Sequence, residues 1–163
     1  MFEFIRNRRK ISEEKKERNE YLKSARESAY RIVATQHEDL RIRSEENDNL
    51  AVFLADSENH SVLLSLELQY LSGYFESYAK EYDYPTTAEE RASLHIIDWL
   101  MYYRKLDLDQ ARIEAISLRE MKNEDDELFK SIKNRGTEAY AGSSRADFFD
   151  ILRALKVDIE PKA

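Results

Sequence analysis

Glycine and proline are nearly missing from this chain, at 3 and 2 of 163 residues. Tight hairpin turns need the positive φ of glycine or the fixed φ of proline, so a fold of many short strands is out of reach. Glu, Lys, Arg, Leu and Ala, all strong helix formers, fill the chain instead, and 36% of its residues are charged. The expectation is an all-α fold: an antiparallel bundle of about six helices with short connections and a long, highly charged N-terminal helix. A hydrophobic fraction of 42% is enough for a packed core and argues against wholesale disorder. The organisation read from these patterns is an N-terminal segment over residues 1–11, a single helical domain over 12–157 and a frayed C-terminus over 158–163.

Hydrophobic periodicity places the helices. Residues 12–46 read as one helix capped by Ser12, with Glu13 and Glu14 in its first turn. Its seam (Leu22, Ala25, Ala29, Ile32, Gln36, Leu40) has the 3–4 spacing of a coiled coil, so it either packs along the domain or pairs with a second copy. Asp48 or Asn49 caps a short run over residues 50–55. Residues 61–82 carry the stripe Leu64, Leu68, Leu71, Phe75, Tyr78, Tyr82, and Gly73 inside it costs about 1 kcal/mol unless a neighbour packs close. Thr86 with Glu89, or Thr87 with Glu90, starts a helix after Pro85. That helix is apolar over a wide arc (Leu94, Ile97, Met101; Ile96, Leu100, Tyr103) and reads as the central one, with Trp99 near the surface or a groove. Asp107 or Asp109 caps a fifth helix, and the acids of residues 123–127 suit the start of a sixth, which Gly136 ends or bends. Ser144 with Asp147 caps a last helix after the Gly142 break.

Several chemistries fall away. With no cysteine there are no disulfides, thiolate catalysis or cysteine-bound zinc. No glycine-rich phosphate loop and no nucleophile elbow occurs. Of the three histidines, only His95 has a carboxylate at a ligand spacing, Asp98, and a lone i, i+3 pair reads as a hydrogen-bonded histidine at the core edge. His37 reads as solvated and His60 as part of a turn. The expectation is a non-enzyme without cofactor or metal. The longest apolar run is six residues, over 50–55, too short for stable membrane insertion. With no secretory-signal pattern, the chain reads as cytoplasmic. Phe2, Phe4 and Ile5 followed by Arg6, Arg8, Arg9 and Lys10 admit weak contact with an anionic membrane, but the simpler reading is a loose start stapled onto the domain.

Charge is uneven. Residues 1–46 carry net +2, residues 47–130 net −10 and residues 131–163 net +1. An acidic middle repels nucleic acid and attracts a basic protein. Within it, Tyr70, Tyr74, Tyr78 and Tyr82 recur every four residues. One reading buries all four rings with hydroxyls pointing outward. The other is a docking face of Glu67, Tyr70, Tyr74, Glu76, Glu81, Asp83 and Tyr84, whose stiff aromatics supply contact area. In size and composition the whole chain resembles the immunity proteins and antitoxins that bacteria make against their own toxins. That resemblance implies an acidic, aromatic face set over the positive active site of a basic toxin. The alternative is a helical adaptor or structural module assembling through its first helix, with self-association through residues 22–40.

Overall fold

A computed structural model describes residues 1–81, 88–123, 126–142 and 146–155. Among them are seven α-helices and no strand: α1 (Phe2–Ser44), α2 (Asp48–Ala55), α3 (His60–Glu81), α4 (Ala88–Tyr103), α5 (Leu108–Asn123), α6 (Glu127–Tyr140) and α7 (Asp147–Ala154). A 3-10 turn, Ser57–Asn59, leads into α3. The all-α class read from turn scarcity is the class observed.

Side chains that satisfy the first free N–H groups set the helix starts. Asn47, rather than Asp48 or Asn49, caps α2, its side chain accepting from the Leu50 N–H at 3.1 Å. Asp107 caps α5 by accepting from the Gln110 N–H at 2.8 Å. Asp126 accepts from Leu128 and Phe129 at the start of α6. Ser12 caps nothing, because α1 already runs from Phe2. The starts assigned to Thr86, Thr87 and Ser144 lie outside the described residues.

The centre of the molecule is α3, not α4. α3 packs on α1, α4 and α6 and buries a run from Leu66 to Leu71 with almost no break. Gly73 and Gly136 explain its closest partner. A Cβ built on Gly73 would overlap the Lys133 carbonyl oxygen, and one on Gly136 would overlap that of Tyr70. The two glycines therefore let the backbones of α3 and α6 touch, and α6 runs through Gly136 without ending there. Trp99 is buried on α4 beside Ile96 and Leu100, whereas Leu94 and Met101 stay exposed.

α1 has two halves. Ala25, Ala29, Val33, Gln36 and Leu40 are buried against the rest of the chain, with the Gln36 side chain accepting from the Phe148 N–H at 3.1 Å. Of the two readings of the seam over residues 22–40, packing along the domain or self-association, the fold shows the packing. Residues 1–20 are all exposed, and residues 2–20 are helical, an arm about 30 Å long at 1.5 Å per residue. Phe2, Phe4 and Ile5 are not stapled to the body; Phe2 is 90% exposed.

Candidate functional site

Three members of the tyrosine ladder, Tyr70, Tyr74 and Tyr78, lie inside the fold. Tyr70 is fully buried, and its hydroxyl donates to Asp147 Oδ2 at 3.2 Å. Tyr74 is buried with its hydroxyl against Ser28 Oγ, and Tyr78 donates to Ser24 Oγ at 3.1 Å. Rings and hydroxyls alike are taken up by the chain's own residues, so neither the outward hydroxyls nor the outer aromatic face is observed. Burial beside the Asp147 carboxylate pushes the Tyr70 phenol up. Glu76 pairs with Lys133 at 2.5 Å and with Lys80 at 3.6 Å. Glu81 is exposed at the end of α3, while Asp83, Tyr84 and Tyr82 lie outside the described residues.

Glu67 departs furthest from its expected place. Its side chain has no exposure, yet three residues bond to its two oxygens. His37 Nε2 lies 2.9 Å from Oε1, Trp99 Nε1 donates to Oε2 at 3.1 Å, and Arg104 grips both oxygens through Nε and Nη2. Burial alone would raise this carboxyl; the hydrogen bonds and charges of His37 and Arg104 outweigh it, so Glu67 is held below the ordinary carboxylate value. One buried carboxylate therefore ties α1, α3 and the end of α4 together. Lys105 turns the chain there with φ 56°, and the Leu106 N–H returns to the Leu100 carbonyl at 3.2 Å. That left-handed turn ends α4 and sets Arg104 beside Glu67.

Above this group the surface opens. A cleft of about 570 Å³ between α1 and α4 is lined by Tyr30, Val33, Trp99 and Tyr103 among others, with Glu67 in its wall. A second hollow of about 370 Å³, lined by His60, Leu63, Leu64 and Leu106, shares His37 and Arg104 with it. Tyr30 and Tyr103 stack at 4.8 Å between centroids on the α1–α4 side. No known protein family, curated protein or solved structure matches this chain. Chemistry must therefore be read from the groups themselves. Glu67, with both oxygens already engaged, is a poor general base, since a base needs a free lone pair toward its substrate. Among the described residues no three His, Asp or Glu side chains cluster as metal ligands, and no helix is long and apolar enough to cross a membrane.

His95 and Asp98 do not act as a pair. Asp98 accepts from Arg26 at 2.9 Å. His95 is 1% exposed, stacks on Phe75 and packs near Tyr21 and Tyr78; its ring nitrogens have no hydrogen-bond partner among the described residues. The expected hydrogen-bonded histidine at the core edge is a core ring instead. Burial first, and the nearby Arg91 charge second, push its pKa down to about 4. A histidine with a depressed folded pKa stabilises the fold fully above its unfolded value, about 6.5, and that stability drains as pH falls toward about 4. The loss across this window should approach about 3 kcal/mol. Urea midpoints at pH 7 and pH 4.5 should show it, and His95→Phe should flatten the slope. A wild-type midpoint that is constant over that range would contradict the burial of a neutral ring.

Sequence reasoning missed His37, Trp99 and Arg104 as a group because His37 comes from α1 and the other two from α4 and its end, more than 60 positions later. Glu67 carried a usable signal. It stands three residues after Leu64 and four before Leu71, on the buried stripe rather than beside it.

Proposed function

We propose that this chain is a non-catalytic protein-binding module that docks through the projecting half of α1. The observation that carries the reading is the exposure of every residue from 2 to 20 in a continuous helix. An isolated helix of about this length is marginal in water, and a partner supplies the packing that the chain itself does not. Phe4 and Ile11, seven residues apart and both exposed, give such a partner two apolar anchors on one side. The arm carries seven basic and five acidic residues, net +2, on a chain of net −7. It therefore favours a partner whose groove is apolar with an acidic rim.

The test is affinity purification of the full chain from its native cell beside a Phe4→Glu, Ile11→Glu double variant. The variant should lose the proteins that co-purify with the parent while melting at the same temperature, because both positions are exposed. Retention of the same partners by the variant would move docking off the arm.

Toxin neutralisation is the second reading, and one observation favours it. On the outer side of α5, Ile113 and Ile116 are exposed between Asp109 and Glu120, an apolar pair with acidic flanks. This stripe replaces the tyrosine-rich segment as the surface on which a basic toxin domain would sit. An Ile113→Arg, Ile116→Arg variant that loses the partner while the arm variant keeps it would select this reading.

A further inference from the structure

We propose that the hollow between α1, α3 and the end of α4 is a binding site for a small amphipathic carboxylate: a monoanion with an aliphatic body. The inference is independent of how the α1 arm is used. It starts from donors that the fold positions and leaves without an acceptor. Arg104 spends Nε and Nη2 on Glu67; its Nη1 makes no hydrogen bond among the described residues, and its side chain is 38% exposed. The ring of His60, exposed at the first position of α3, likewise makes no hydrogen bond among the described residues. His37 reaches Glu67 through Nε2 alone. These three nitrogen-bearing side chains meet in a hollow of about 370 Å³ whose other walls are Leu63, Leu64 and Leu106. The size falls within the roughly 300–1,000 Å³ range of small-molecule sites.

The charge pattern selects the ligand. Among the described residues no carboxylate lines this hollow, although acids outnumber bases in the chain by 33 to 26. Glu67, in the adjoining cleft wall, is fully engaged and serves to fix the guanidinium plane. A held guanidinium with free N–H groups suits a planar carboxylate, which can accept two parallel bonds. A phosphate dianion would set two negative charges against a guanidinium already partly balanced by Glu67. The three leucines ask for an apolar body that phosphate lacks. A cation would be repelled by the guanidinium, and a neutral alcohol could accept from it only through one uncharged oxygen.

Octanoate is the probe. Imidazole proton signals of the intact protein are followed by NMR during titration with sodium octanoate, then with octanol and with sodium phosphate. Octanoate should shift His37 and His60 saturably while leaving the core ring His95 unmoved. Octanol and phosphate should each bind at least tenfold more weakly, since one lacks the charge and the other the body. The His60→Glu variant places a carboxylate beside Arg104 at a helix start, where an acid is tolerated. It should fold as the parent does and weaken octanoate at least tenfold. The proposal fails if octanoate gives no saturable shift of His37 and His60, if octanol or phosphate binds as tightly, or if folded His60→Glu binds octanoate undiminished.

Discussion

Gly136→Ala and Gly73→Ala should each destabilise the protein by more than about 3 kcal/mol, the largest effects expected of any single methyl group in this chain. Local propensity argues the other way: alanine inside a helix is better than glycine by about 1 kcal/mol. Packing decides. The added Cβ meets main-chain carbonyl oxygen across the α3–α6 crossing, at Lys133 for Gly73 and at Tyr70 for Gly136. Main chain cannot rotate away as a side-chain tip can, so the helices must separate. Separation would loosen Tyr70, Tyr74, Phe129 and Ile132, all buried at that crossing. Gly142→Ala is the control. Gly142 has φ 100° and nothing near its Cβ, so only backbone strain of about 1 kcal/mol opposes the change. Urea unfolding of the three variants should order them with Gly142→Ala mildest. A Gly73 or Gly136 alanine variant more stable than the parent would mean that α3 and α6 do not cross this closely.

The same crossing shows what was legible in the sequence and what was not. Helical class followed from turn scarcity, and Gly73 was flagged as costly unless a neighbour packs close. That the neighbour is α6, through a matching glycine 63 positions later, is a tertiary fact that no local pattern encodes. Gly136 read as a helix end or bend for the same reason: propensity ranks glycine as a breaker, and only packing reveals it as a contact. The tyrosines erred in a related way. The stripe over residues 61–82 runs through Leu64, Leu68, Leu71, Phe75, Tyr78 and Tyr82, which leaves Tyr70 and Tyr74 at its flank. α3 is covered by α1, α4 and α6, so its buried arc is far wider than one apolar stripe, and the flanks are core as well. The hydroxyls then found Asp147, Ser28 and Ser24, residues remote in sequence that supply what solvent would otherwise supply. Composition misled most at Glu67. An acidic residue in an acidic segment reads as solvated by default, and the partners that hold it inside, His37 and Arg104, lie 30 positions upstream and 37 downstream.

Glu67→Ala should cost about 3–5 kcal/mol, the range for removing one partner of a buried ion pair. The variant leaves the Trp99 N–H buried without its acceptor and frees Arg104 and His37 from the group that fixes them. Glu67→Gln keeps the shape, but it lacks the charge and presents a donor where Arg104 or His37 also donates; its cost should lie between that of alanine and zero. Glu81→Ala, at an exposed carboxylate in the same helix, should stay within about 0.5 kcal/mol of the parent. A double-mutant cycle with Arg104→Ala separates the pair from its surroundings. Removing both partners should cost less than the sum of the two single changes, because the second deletion no longer strands a charge. Paired chemical denaturation curves decide between two roles for this residue. A docking carboxylate would leave stability untouched and alter association with a partner, whereas an interior tie between α1, α3 and α4 lowers the unfolding midpoint with no partner present. Equal midpoints for Glu67→Ala and Glu81→Ala would remove Glu67 from the interior, and with it the anchor that holds Arg104 toward the hollow.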